Sequence, residues 1–600
     1  MKHMLRSICT AAAVVTAALV LYGCATADRG ARAPVAGVPQ MAEKLSAHIE
    51  EFMKNNGVEG LSIAVLAHGE RDEDRFLWSN GFGWAVKSRG LHATADTAFP
   101  TASVTKLFTA TAVMQLAEEG LVDLDAPASR YLPEFSILPS AKQVTVRRLL
   151  THHAGLPADR LKGMLAGANT PDEAETIFME MPSLLAGEHL INEPGSYYCY
   201  SNIGYTLLGC IVSRVSGMPY QEYVEKRILN PLRMRNSAVR RYESLGPGLS
   251  MGYRKGKEVD IPRMSGVPEG GLAASANDMA AYLRMLLAEG AYEGSRIMKS
   301  ETVRKMLHEQ NAAVALDLDF RIGLGFHLGK LGGGGSMRTA YHQGGTAPFS
   351  SLLEMLPDQG LGVMVLANTD EANLAGIASR ALELALEVKT GRAAAAPRSG
   401  AAVQGEHPDP NDFIGLYASE MGLVEIAGGL AGPVLKISGG TLSIVPAENG
   451  THALQMKLFG LIPLSPPGVG DITLRFARVN GEKVIGVSIG GMFGGLGVEL
   501  AVHPVSDAWR ARTGDYRVLN PDAEPFVEKF SLECDERGLL FCVVKVKTAS
   551  NPFRLVLDPI SDTTVMTAGK GRHLGERMTM VSVNGAEAIS YSGLLLQRSE

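Results

Sequence analysis

Apolar and polar positions follow two different regimes along this chain. In the first, helical and strand spacings mix. Leu107, Ala110, Val113, Met114 and Ala117 recur at three- and four-residue steps, which predicts a helix with one apolar face, closed by Gly120 after Glu118-Glu119. The run Tyr205 to Val212 predicts a second helix, entered from a loop that begins at the Pro194-Gly195 turn. Phe349 to Leu356 and Leu361 to Leu366 read as a strand pair across Pro357-Asp358-Gln359-Gly360. In the second regime helical spacing nearly vanishes. Val434 to Ile437, Thr473 to Phe476, Val484 to Val487, Leu539 to Val546 and Phe553 to Leu557 are short runs separated by Gly, Asn-Gly and Asp turns, which predicts an all-β domain, a closed barrel or a sandwich. Phe413-Ile414-Gly415-Leu416-Tyr417 is echoed by Arg512-Thr513-Gly514-Asp515-Tyr516, so two half-barrels or two small modules both fit. Between the regimes, Gly391 to Pro410 has no periodicity and many breakers, as a linker does.

The first residues follow neither regime. Lys2 and Arg6 precede the apolar run Ile8 to Leu21, too short to span a membrane, as in an export signal. It ends in Leu21-Tyr22-Gly23-Cys24, which resembles a bacterial lipobox with Cys24 as the lipidated residue; Tyr22 is unusual there, which keeps plain secretion open. Ala25 after the cysteine resembles outer-membrane sorting in Gram-negative bacteria. The expected division is a lipoprotein signal peptide over 1–23, a tether over 24–39, a first domain over 40–390, a linker over 391–411 and an all-β domain over 412–600. The expected location is the periplasm, held to the outer membrane by lipid at Cys24.

The net charge of −6 over 600 residues, with no basic run, argues against nucleic-acid binding. Export permits disulfides, but spacing leaves open whether Cys199, Cys210, Cys534 and Cys542 pair or stay free. The absence of His-Glu-x-x-His and of paired Cys-x-x-Cys predicts no metal site and no cofactor. His152-His153 read as structural loop residues.

Three motifs carry candidate chemistry. Ser103-Val104-Thr105-Lys106 is the only Ser-x-x-Lys in the chain and stands at a helix start, with hydroxyl and amine one turn apart on one face. A serine hydroxyl needs a base to become a nucleophile, and a lysine whose pKa is lowered by burial is such a base. Tyr200-Ser201-Asn202 is the only Tyr-x-Asn; a phenol relays protons, and an amide both donates and accepts. Of four His-x-Gly sequences, only His342-Gln343-Gly344-Gly345 has a second glycine, and it leads into the strand at Phe349. Glycines on a strand edge admit a substrate to the backbone, where a free N–H completes an oxyanion hole with the Ser103 N–H. Gly248-Leu249-Ser250-Met251-Gly252 and Gly486-Val487-Ser488-Ile489-Gly490 match Gly-x-Ser-x-Gly but lack the flanking strand and helix of a nucleophile elbow, and read as turns.

In this order the three motifs resemble the serine β-lactamase and penicillin-binding-protein superfamily, and more closely its class C β-lactamase-like hydrolases. Val144 to Leu156, Gly120 to Asp125 and Gly270 to Met279 are similar to further segments of that family, with Ser275 or Asn277 as the cap of a new helix. The resemblance implies an α+β first domain, an antiparallel sheet flanked by helices plus a helical subdomain, followed by a lipocalin-like all-β accessory domain. It implies Ser103 as acylated nucleophile, Lys106 as its base or relay, and Tyr200 as proton shuttle. It also implies Asn202, His342, Gln343 and Gly344 as substrate contacts, and Ser103 and Gly345 as oxyanion donors. The family's Lys-Thr-Gly is here His342-Gln343-Gly344, which points away from β-lactams and toward esters or amides, since histidine is only partly charged near neutral pH. The expected partner is a small-molecule or peptide substrate. The readings weighed beside ester or amide hydrolysis are a D,D-peptidase or β-lactamase and, in another class, a ligand-binding lipoprotein with a degenerate hydrolase domain. The all-β domain is expected to lie against the catalytic mouth and limit substrate size.

Overall fold

The computed structural model describes residues 35–599 apart from 72–73, 161–170, 262–265, 332–336, 370–371, 393–407, 430–431, 438–439, 448–449, 459–461, 465–471, 490–491, 521–526 and 547–551. The export signal with Cys24, and most of the tether and linker, lie outside the described residues.

The first domain is built on an antiparallel sheet of eight strands: β1 (Gly60–Ala67), β2 (Phe76–Val86), β3 (Leu91–His92), β4 (Arg321–Ile322), β5 (His327–Lys330), β6 (Arg338–Thr346), β7 (Phe349–Leu356) and β8 (Leu361–Ala367), in the order β4-β5-β6-β7-β8-β1-β2-β3. The strand pair expected at Phe349 to Leu366 is β7–β8, with Leu356 opposite Leu361. β1 is buried at all eight positions because the sheet is covered twice. Leu61, Ile63 and Val65 pack with α1 (Val38–Asn56) and the late α5 (Ala375–Thr390), whereas Ala64 and Leu66 join the larger core of α2 (Thr105–Glu118), α3 (Asn202–Ser216) and α4 (Ala276–Leu287).

The helix after Ser103 differs from expectation. α2 is buried on every side from Thr105 to Leu116, not on one face. It runs through the middle of the larger core, so its polar residues are answered internally: Thr109 hydrogen-bonds the Pro268 carbonyl and Tyr220, and Thr111 donates to the Leu107 carbonyl. α4 is capped by Ser275, whose side chain accepts from the Asp278 N–H. Ser250 is fully buried and accepts from Asn368, and Ser488 lies inside a strand opposite Thr473 rather than in a turn. Neither is presented as a nucleophile.

The second regime forms two closed antiparallel barrels of eight strands, one over Gly415–Glu499 and one over Gly514–Arg598. The first closes where Gly440–Pro446 pairs with His452–Leu458, and the second where Gly514–Val518 pairs with Leu594–Arg598. The repeated five-residue segment opens each barrel in the same way. Tyr417 donates to the Phe413 carbonyl at 2.6 Å, and Tyr516 to the Arg512 carbonyl at 2.7 Å. The echo therefore marks two complete modules, not two half-barrels. Leu539, Phe541 and Val556 of the second barrel pack on Ala418 of the first, and Leu316 and Leu318 of the first domain pack on Val484 and Leu496 of the first barrel. The cysteines among the described residues are free thiols; Cys199 and Cys210 donate to the carbonyls of Gly571 and Phe178.

Candidate active site

Ser103 lies in a single 3-10 turn, Ala102–Val104, that leads directly into α2. Ala102 holds φ at +46°, a left-handed conformation that costs an alanine about 1–2 kcal/mol, so packing imposes the kink that presents the serine. Lys106 is fully buried one turn on. Its Nζ donates to Ser103 Oγ (3.2 Å), Asn202 Oδ1 (2.7 Å) and the Glu269 carbonyl (2.9 Å), three acceptors for the three donors of an ammonium.

Tyr200 and Asn202 arrive from the start of α3. Ser201 is the N-cap, its side chain accepting from the Gly204 N–H, which turns the chain so that Tyr200 faces Ser103. Tyr200 Oη lies 2.9 Å from Ser103 Oγ, and Lys106 Nζ sits 5.0 Å from the Tyr200 ring centroid. Both ends of the Asn202 amide are engaged within the protein, since Nδ2 donates to Asp159 Oδ1 at 2.7 Å.

β6 brings the third motif. From His342 on it pairs with β7 alone, because β5 ends opposite Tyr341. A Cβ on Gly344 would stand 2.2 Å from the Thr101 carbonyl and 3.0 Å from the Ser103 nitrogen, so only glycine lets this strand close on the Ser103 turn. Gln343 is exposed, whereas His342 is 1% exposed. The Gln343 carbonyl accepts from His342 Nδ1 at 2.7 Å, which sets the tautomer, and burial, then the charges of His327 and Lys106, hold the His342 pKa well below its ordinary value. The ring is therefore neutral at physiological pH, not partly charged.

Several residues outside the three motifs also reach the site, among them His152 and His153, which the sequence reads as structural loop residues. The His152 ring stacks on Tyr200 at 4.4 Å and is kept neutral by burial and by the Lys106 charge. His327 stacks on His342 at 5.2 Å and bonds Tyr198 Oη at 3.2 Å, and burial with the Lys106 charge lowers its pKa to about 4. His153 pairs with Asp317 at 2.8 Å. Burial pushes the Glu269 carboxyl up to about 7 against the pull of Lys106. Asp159 bridges Asn202 to Arg572, whose Nη2 donates to Asp159 Oδ2 at 2.9 Å although it belongs to the second barrel. Among the described residues no His, Cys, Asp or Glu cluster has the form of a metal site.

Comparison with known proteins gives the same picture of the first domain. A family model described as Beta-lactamase matches residues 45–387. The chain is 22% identical over 334 residues to Protein flp of Staphylococcus aureus (strain MRSA252), a match covering 54% of this chain and 62% of that protein, so it spans less than two thirds of that relative. It is 28% identical over 306 residues to the uncharacterized protein MT1414 of Mycobacterium tuberculosis (strain CDC 1551 / Oshkosh), over 45% of this chain and 74% of that one. The crystal structure of SurE aligns with 77% of this chain and 100% of its own, with a TM-score of 0.53 and 24% identity, a likeness of fold.

Proposed function

Since the chain belongs to the beta-lactamase family, we propose that it is a serine hydrolase that cleaves an ester or amide bond through an acyl-enzyme on Ser103. The observation that carries this reading is the convergence of Lys106 Nζ at 3.2 Å and Tyr200 Oη at 2.9 Å on one serine oxygen. Ser103 Oγ attacks the substrate carbonyl carbon, and its proton passes to Lys106 Nζ in its free-amine form, directly or through the Tyr200 hydroxyl, which hands its own proton to that amine as it takes the serine's. The oxyanion is received by the backbone N–H groups of Ser103 and Gly345. The tetrahedral adduct collapses, the bond to the leaving group breaks, and Tyr200 returns the proton to that group. Water then attacks the acyl-enzyme by the reverse route and frees Ser103.

The motifs Tyr200-Ser201-Asn202 and His342-Gln343-Gly344 support the class C-like branch. The neutral His342 supports esters or amides over substrates that need a fixed cation where the family carries Lys-Thr-Gly. Turnover of p-nitrophenyl esters, D-amino-acid amides and nitrocefin by the full chain tests the reading. Ser103→Ala is expected to abolish fluorophosphonate labelling and to lower kcat by about a thousandfold or more. Unchanged labelling and turnover in that variant would overturn it.

A further inference from the structure

The turn Ala568–Gly575 joins two strands of the second barrel, Thr564–Thr567 and Arg577–Val583, and it is docked into the first domain beside Tyr200. Three contacts hold its backbone and neighbours there. Cys199, adjacent to Tyr200, donates its thiol to the Gly571 carbonyl at 3.2 Å. The Arg572 N–H donates to Glu420 Oε1 of the first barrel at 2.6 Å. Ser592 of the second barrel donates to the Asp159 carbonyl at 3.2 Å. Gly571 has φ +135°, a backbone conformation that favours glycine, and a Cβ there would stand 2.5 Å from Glu420 Oε1 of the first barrel.

The Arg572 side chain leaves this turn toward the catalytic groups. Its guanidinium carbon lies 5.3 Å from the Tyr200 ring centroid, and Nη2 bonds Asp159 Oδ2 at 2.9 Å. Asp159 uses its other oxygen on Asn202 Nδ2 at 2.7 Å, and Asn202 Oδ1 accepts from Lys106 Nζ at 2.7 Å. One unbroken series of hydrogen bonds therefore runs from a barrel residue to the nucleophile: Arg572, Asp159, Asn202, Lys106, Ser103. Asp159 and Asn202 are each bonded on both sides, so displacing Arg572 leaves the Asp159 carboxylate with the His573 ring, 3.6 Å away, beside it and free to pull the Asn202 amide away from Lys106.

We propose that Arg572 is a positioning residue of the active site, which acts through Asp159 and Asn202 to fix Lys106 Nζ against Ser103, so that the second barrel is a working part of the catalytic centre. This rests on Ser103 being the nucleophile. A residue that only docks the barrel would affect stability and leave chemistry alone, and the two roles separate in kinetics.

The test uses the full chain and the best p-nitrophenyl ester. Arg572→Ala is expected to lower kcat and the second-order rate of fluorophosphonate labelling together by about 10- to 100-fold, with KM changed less than about threefold. Arg572→Lys, which keeps a cation for Asp159, is expected to recover most of the labelling rate. Lys570→Ala, which breaks the pair between Lys570 and Glu482 of the first barrel two residues away, is expected to leave kcat unchanged. If Arg572→Ala does not fold, Asp159→Asn is expected to show the same loss of labelling rate. Arg572→Ala or Asp159→Asn within about twofold of wild type in kcat and labelling, or a loss in Arg572→Ala matched by Lys570→Ala, overturns the proposal. Failure of the wild-type chain itself to label at Ser103 overturns the acyl-enzyme reading instead.

Discussion

Two carboxyls, Glu269 buried and Asp159 mostly shielded, give the site opposite responses to pH. Burial is the largest single influence and opposes ionisation of Asp159, but the Arg572 charge, His573 and the hydrogen bonds from Arg572 and Asn202 together outweigh it, and the pKa falls from 3.8 to about 2. Its contribution, about 2 kcal/mol, is present above pH 3.8 and is lost as pH falls through 2. Glu269 behaves in the reverse sense. Burial raises it from 4.5 to about 7, so the folded state is favoured below pH 4.5 and loses about 3 kcal/mol as pH rises through 7. Urea unfolding across a pH series is expected to show both limbs; Asp159→Asn removes the acid one and Glu269→Gln the neutral one. The sequence made Ser103, Lys106 and Tyr200 legible because each is unique in its motif and two of them are one helical turn apart. It left Asp159 and Arg572 silent, since neither stands in a pattern and they are 413 residues apart.

At the scale of elements, the site is the meeting of a helix start, a capped loop and a strand edge. The strand is the least tolerant of the three. Gly344→Ala would set a Cβ 2.2 Å from the Thr101 carbonyl, a backbone atom that cannot swing away, and β6 must then retreat from the Ser103 turn. The expected result is a fall in kcat of about 100-fold with a loss of about 1–3 kcal/mol in stability, read by ester turnover and denaturant unfolding. A variant with wild-type turnover would show that β6 does not form the oxyanion side. Hairpin β7–β8 and the cap at Ser275 were readable because they depend on residues a few positions apart. The burial of α2 on all sides was not, because its threonines look like a polar face until Tyr220, Tyr282 and the Pro268 carbonyl answer them from distant segments.

In the whole molecule, the two barrels repeat one plan, and the second sends Arg572 to Asp159 and the Tyr200 ring. A chain ending at Thr390 lacks Arg572 and exposes the first-domain residues Leu316 and Leu318 that face the first barrel. Such a chain is expected to lose solubility, and its soluble fraction is expected to lose at least as much turnover as Arg572→Ala; wild-type kcat and unchanged selectivity across ester chain lengths would contradict a shared site. Local spacing by itself determined the order of the motifs, the hairpin beside the Ser103 turn and the change to an all-β second half. Those features rest on periodicity and turn geometry, which act over a few residues. Tertiary structure alone decided that His342 is neutral, that Asn202 is tied to Lys106 and Asp159, and that a second cation beside Tyr200, besides Lys106, comes from a barrel. Burial, charge pairing and close approach depend on which distant segments meet, and no local pattern encodes that meeting.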